Sequence, residues 1–180
     1  MFMLWGKCPV HLSLQTCEVR SWQISDLAPL VTHANNRKIW VNLRDRYPYP
    51  YTNADGRAFI RASRRAEPQT SFAIAVGGVA AGAIGFHLQS DVERVSAEIG
   101  YWLGEAFWGR GVATEALSAV TRYAIERHGL TRVFALPFAH NLASCRVLEK
   151  AGYVREGHLR RSAVKDGTIV DQIQYAFIAV

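Results

Sequence analysis

The sequence predicts a single domain of α+β character, a mixed β-sheet covered by helices. Three observations predict it. The chain has 180 residues, 49% hydrophobic and 20% charged, which suits one domain with a proper core and excludes a disordered chain or a charged coiled coil. Strand-like segments follow one another with turn signals between them, as hairpins do. A strand–helix–strand unit in the later half requires a parallel pair within that otherwise antiparallel sheet. Residues 14–180 are expected to form the domain and residues 1–13 a poorly defined extension.

The elements can be justified in order. Leu14 to Trp22 alternates loosely and is read as the first strand. Ser25 or Asp26 can cap a helix through Leu27, Leu30, Val31 and Ala34. Asn35 to Tyr51 holds aromatics, prolines and mixed charges, too irregular for one element, and is expected to be a loop or short broken helix. Thr52 with Asp55 forms a capping-box pattern opening a helix to about Ala66. Phe72–Val76 is a strand, Gly77-Gly78 a hairpin turn and Ala80–Gln89 its partner. Ser96–Leu103 is another strand. From Gly111 to Arg127, Ala113, Leu117, Val120 and Ala124 recur at helical spacing, with Gly129 as the C-terminal cap. Arg132–Leu136 is a strand closed by Pro137. Asn141 caps a helix through Leu148 that Gly152 ends. Tyr153–Leu159 and Ile169–Ile178 are strands joined through Lys165-Asp166-Gly167.

Composition narrows the function classes. No apolar run approaches the ~20 residues of a membrane helix, and the N-terminus reads poorly as a signal peptide. Cys8, Cys17 and Cys145 are scattered and odd in number, which argues against a disulfide framework or zinc site; Cys145 is expected to be a small core residue. The six histidines show no paired spacing, so no metal is indicated. A reduced, cytoplasmic protein is the default. The net charge of +6 permits an anionic partner without choosing one. Arg57, Arg61, Arg64 and Arg65 repeat on one helix and are read as a solvated basic face; nucleic acid is an unfavoured partner.

The stretch Glu98 to Glu115, EIGYWLGEAFWGRGVATE, carries the chemistry. A strand runs into a loop with Gly109 and Gly111, and the loop opens an amphipathic helix. Glycines let the backbone approach a bulky anion, and a helix start supplies unpaired N–H groups and the positive end of the dipole. An ordinary strand–loop–helix turn uses glycine in the same way. The spacing is neither GxxxxGK[ST] nor GxGxxG.

Trp108-Gly-Arg-Gly-Val-Ala113 resembles the acetyl-CoA pyrophosphate loop, Gln/Arg-x-x-Gly-x-Gly/Ala, of the GNAT N-acetyltransferases, with Trp108 departing from the Gln or Arg as it does in the branch resembling ribosomal-protein N-terminal acetyltransferases (RimJ/RimL-like). Ala97-Glu-Ile-Gly-Tyr-Trp-Leu103 resembles that branch's fourth strand, Asn141 to Tyr153 its Asn-x-x-Ser…Leu-Glu-Lys-x-Gly-Phe motif, and Arg160 to Asp171 its closing hairpin. The resemblance covers roughly Phe72 to Val180. It implies a seven-stranded mixed sheet with splayed central strands and about four flanking helices. It also implies acetyl-CoA (coenzyme A) as cofactor, its pyrophosphate on the N–H groups of Gly109, Arg110, Gly111, Val112, Ala113 and Thr114, and backbone donors near Trp102 and Leu103 for the thioester oxyanion. Arg110 either adds charge or is simply solvated. Asn141 bonds pantetheine or substrate besides capping its helix. Ser144, where the branch places a hydroxyl, either protonates the thiolate or is a plain helix serine.

The acceptor implied is a primary amine, most simply a protein or peptide N-terminal α-amine attacking directly in a ternary complex; a ribosomal protein is one such partner. Glu98 is the candidate base, or else it binds substrate or pairs with an arginine. No carboxylate occupies the closing hairpin near Ser162 and Ala163. Trp40, Arg44, Asp45, Tyr47 and Tyr49 are the candidate acceptor-binding residues, or a surface loop with packed aromatics. Tyr153 is read as core. A small-molecule amine acceptor and a non-catalytic coenzyme A-binding sensor are the alternative functions. The resemblance also makes a homodimer an option.

Overall fold

The computed structural model describes residues 9–179. The N-terminal residues read above for a leader, and Cys8, lie outside them. The strands are β1 (His11–Ser13), β2 (Glu18–Arg20), β3 (Ser71–Val76), β4 (Val79–Leu88), β5 (Ser96–Leu103), β6 (Arg132–Ala135), β7 (Val154–Lys165) and β8 (Thr168–Ile178). The helices are α1 (Leu27–Ala34), α2 (Arg37–Trp40), α3 (Asn53–Arg65), α4 (Val112–His128) and α5 (Leu142–Lys150). One eight-stranded sheet runs β1-β2-β3-β4-β5-β6-β8-β7. Only β5 and β6 pair in parallel among the described strands, joined by the α4 crossover.

The sheet therefore has eight strands rather than seven. The expected first strand, 14–22, is instead the short hairpin β1–β2, which also carries the sheet back into the segment expected to be an extension. Its turn is pinned from a distance: the Glu115 carboxylate accepts from the N–H of Gln15 at 2.6 Å and of Thr16 at 2.8 Å, and from the Thr16 hydroxyl. Among the described residues the α-helices number five rather than about four, because one turn forms inside the irregular segment. That turn, α2, is capped by Asn36, whose side chain accepts from Lys38 N–H at 2.8 Å.

Alternation along the strands divides the core into two layers. Phe72, Ile74, Ile84, Phe86, Ala97 and Ile99 pack against Ala116, Leu117 and Val120 of α4 and Leu148 of α5. On the other face the sheet offers mostly alanines, Ala73, Ala80 and Ala83, against Trp22, Leu30, Ala34, Tyr51 and Ile60. Small residues there let α1 and α3 sit close. Asp26 is not the side-chain cap of α1; it is buried in a two-pronged ion pair with Arg20, both bonds 2.8 Å. The capping box of Thr52 and Asp55 is formed. Gly77 and Gly78 both have positive φ, +57° and +81°, as the tight β3–β4 turn requires. Tyr153 is buried and shares a 2.6 Å hydrogen bond with Thr121. The arginines of α3 are exposed. Among the described residues no helix is long and apolar enough to cross a membrane.

Candidate active site

The decisive geometry lies at the centre of the sheet. β5 and β6 pair only over Ser96↔Arg132, Ala97↔Val133 and Glu98↔Phe134. β4 stays paired with β5 to Leu103. From Ile99 onward the strands diverge, and β5 has a neighbour on one side only. Gly104 N–H donates to Ala81 at 2.7 Å and Gln89 N–H to Ser96 at 3.0 Å, so the alternation of the ladder turns the backbone groups of even-numbered residues toward β4. The open edge belongs to Tyr101 and Leu103. The Trp102 amide, expected to serve there, faces β4. The Leu103 carbonyl is taken by the Trp108 indole N–H at 2.7 Å.

That indole bond ties the glycine loop to the end of β5. Gly109 and Gly111 have φ of +77° and +81°. Gly111 is the N-cap of α4 and its carbonyl accepts from Glu115 N–H at 3.1 Å. The amides of Val112, Ala113 and Thr114 precede the first intrahelical donor and are the helix's unpaired ones. Val112 points its side chain into the core, so only its backbone faces the loop. Arg110 is not merely solvated: its guanidinium lies 5.7 Å from the centre of the Phe107 ring.

Asn141 caps α5, accepting from Ser144 N–H at 3.1 Å. Ser144 has a partner outside its helix. The hydroxyl of Tyr101, on β5, lies 3.0 Å from Ser144 Oγ and donates to the Ser144 carbonyl at 3.2 Å. Burial pushes the Tyr101 phenol well above its usual range, so it stays protonated. Tyr101 was not among the sequence candidates. Its one signal is parity, since it alternates with Ile99 and Leu103 on the helix-covered face, but nothing local identifies α5 as what it meets.

The even-numbered side chains of β5 face the other way. Glu98 and Trp102 flank Gly100, where an added Cβ would find no heavy atom within 4 Å. Here the 35–51 segment arrives. Arg44 pairs with Glu98, the arginine-partner alternative considered for that carboxylate. Tyr47 sets its ring edge on Trp102, 5.9 Å between centres, and stacks on Tyr51 at 4.9 Å. Asp45 accepts from the buried Lys165 Nζ at 2.8 Å, and that ammonium lies 3.8 Å from the Trp40 ring centre. The Tyr49 ring lies against Trp40, 5.7 Å between centres. Four of the five candidate acceptor residues thus converge on β5 and the β7 end, and the fifth braces one of them. Tyr47 Oη and Asn42 Oδ1 are buried without a partner among the described residues. Arg46 donates to His87 Nε2 at 2.7 Å; it and His87 were also missed, because only the register His87↔Glu98 brings β4 into the site.

Residues 17–154 match the acetyltransferase (GNAT) domain model. The chain belongs to the GNAT acetyltransferase family. Among relatives of this GNAT protein, the uncharacterized N-acetyltransferase YoaA of Bacillus subtilis (strain 168) is 39% identical over 97 residues, 54% of each chain. The putative ribosomal N-acetyltransferase YdaF of the same organism is 34% identical over 101 residues, 56% of this chain and 55% of that one. The match thus spans about half the length of these relatives. RimL, a ribosomal L7/L12 α-N-protein acetyltransferase solved with coenzyme A, superposes with a TM-score of 0.82 over 94% of this chain and 98% of that one at 23% identity, which shows a shared fold.

The residues present fit a coenzyme A thioester. A row of unpaired amides opens α4, the loop before it stands in open space at Gly109 and Gly111, and a half-free strand edge leads from that loop to Glu98.

Proposed function

We propose that this protein is an acetyl-CoA-dependent N-acetyltransferase that acetylates a protein or peptide N-terminal α-amine by direct attack in a ternary complex. The observation that carries the reading is the end of β5–β6 pairing at Glu98↔Phe134, which leaves an open edge of β5 running from the carboxylate toward the Gly111 loop.

The amides from Gly109 to Thr114 would hold the pyrophosphate, aided by the positive end of α4. The open edge at Tyr101 and Leu103 would bond the pantetheine arm, with the Asn141 amide beside it. When bound, the cofactor supplies an acetyl thioester. The edge amides would stabilise negative charge on its carbonyl oxygen. An amine approaching over Gly100 would pass its proton to Glu98, directly or through water, as its nitrogen bonds to the acetyl carbon. Ser144, backed by Tyr101, would give a proton to the sulfur as the carbon–sulfur bond breaks. Cys145 is buried with its thiol pKa pushed up by burial, so it is a poor nucleophile and no acyl-enzyme is invoked.

The α-amine is favoured by energetics. Deprotonating it at neutral pH costs about 1 kcal/mol, against about 4.6 kcal/mol for a lysine side chain. A base already paired with Arg44 suits the easier task. The names of YdaF and RimL support a ribosomal N-terminus, and the free, buried Cys17 and Cys145 are in keeping with a cytoplasmic setting.

The experiment is thiol release from acetyl-CoA against a panel of N-terminal peptides, free amino acids and polyamines. Peptides are expected to be turned over best; coenzyme binding without turnover of any amine refutes the reading. Glu98→Gln is expected to lower kcat/KM most at mildly acidic pH, and an unchanged rate across the pH range removes Glu98 as base.

A further inference from the structure

The acceptor side of β5 has a surplus of positive charge. Arg44 and Arg46 both enter it from the 41–51 segment. Glu98 is engaged by Arg44. Asp45 between them is turned away to Lys165. Farther along the same segment and its surroundings, Lys38 pairs with Glu105 and Arg37 with Asp166. Each of these cations has its carboxylate. Arg46 has none among the described residues; its partner is a histidine, the cross-strand neighbour of Glu98. Burial, then the nearby Arg46 charge, holds His87 below its usual pKa, which keeps Nε2 an acceptor and fixes the guanidinium beside the cleft.

An ammonium entering this cleft alone must compete with Arg44 for Glu98 and leaves two arginines without a carboxylate. An acceptor that brings a carboxylate with its amine exchanges one ion pair for two and adds no net charge to the cleft, where an ammonium alone adds one. We infer that the acceptor peptide carries an acidic side chain within two or three residues of its reactive amine, and that Arg46, braced by His87, is the specificity-determining residue that binds it. The inference rests on the N-terminal acetyltransferase reading above and adds to it a substrate class.

Three peptides of equal length test it, identical except for Glu, Gln or Lys at the second and third positions, with free glutamate as a fourth acceptor. Turnover is read by thiol release, and peptide affinity by calorimetry in the presence of coenzyme A. The Glu peptide is expected to exceed the Gln peptide by about tenfold in kcat/KM, with the Lys peptide lowest, and affinities are expected to follow that order. Arg46→Glu is expected to make the Lys peptide the best of the three, a gain that a misfolded variant cannot imitate. Arg46→Gln, should the reversal fail to fold, is expected to bring the Glu-to-Gln ratio to about one. Equal turnover and affinity for the Glu and Gln peptides overturns the inference while leaving the N-terminal reading intact. An acidic preference that survives Arg46→Glu removes Arg46 as its cause. Turnover of free glutamate but of no peptide overturns both.

Discussion

Gly111→Ala probes the loop without filling it. At φ +81° and ψ −10° an L side chain is strained by about 1–2 kcal/mol. Alanine also stiffens the unfolded chain, which offsets about 0.4–1 kcal/mol of that. No heavy atom lies within 4 Å of the added Cβ, so no steric contribution enters. The net loss is about 0–1.6 kcal/mol, a fall in Tm of at most roughly 6 °C for a domain of this size. If the loop relaxes to escape the strain, coenzyme binding must restore it. A restoration of about 1–2 kcal/mol weakens binding about five- to thirtyfold. Asparagine tolerates left-handed geometry, so Gly111→Asn is expected to lose less on both counts. Thermal unfolding and calorimetric titration of coenzyme A read the two quantities. Alanine matching glycine in both, or asparagine losing as much as alanine, refutes the argument that backbone conformation is what the position requires.

Asp26→Ala leaves the Arg20 guanidinium buried without its partner and is expected to cost about 3–5 kcal/mol in urea unfolding; a loss under about 1 kcal/mol shows that water reaches the arginine. The Glu115 carboxyl is held below its ordinary pKa, its burial outweighed by hydrogen bonds from Thr16 and Gln15. Its stabilisation is therefore present above the unfolded-state pKa and lost as pH falls through the folded one. The Tm gap between the native protein and Glu115→Gln is expected to be widest near neutrality and to close on acidification; a gap independent of pH contradicts the pinned turn. Tyr101→Phe removes the hydroxyl's bonds to Ser144 and is expected to lower kcat about two- to tenfold with coenzyme affinity kept, whereas an equal loss in affinity shows that the hydroxyl itself supports coenzyme binding.

Where a residue's partner is near in sequence, its role was legible. The Gly77-Gly78 turn, the Thr52–Asp55 box, the Asn141 cap and the glycine loop before α4 each need only their own neighbours, and each formed. Misreadings arose where a distant group decides. Leu14 to Trp22 reads as one strand until Glu115, about a hundred residues away, folds Gln15 and Thr16 into a turn. Asp26 reads as a cap until Arg20 claims it. Ser144 could be chemical or incidental because its hydroxyl partner comes from β5. The irregular 35–51 segment was expected beside the acceptor cleft from its place in the chain and the family resemblance, and it does lie against β5; which of its charges is compensated depends on Glu98, Lys165 and His87, which are scattered over three strands.

On the function proposed, one strand would serve both substrates, and period-2 alternation makes that possible. On β5, Tyr101 looks toward α5 while its backbone lines the open edge; Glu98 and Trp102 look toward the acceptor segment. A slip of one residue would drive Glu98 into the apolar layer and bring Ala97 and Ile99 out beneath Arg44. The register must therefore be held where the partner strand β6 has already departed. β4 holds it alone, through paired residues running from Leu88↔Ala97 to Gly82↔Leu103. The last of these pairs is close: a Cβ on Gly82 would sit 2.3 Å from the Trp102 carbonyl oxygen. The glycine there lets β4 press against the very residues that the splay leaves unsupported, so the gap can open on one side of β5 because packing is tightest on the other.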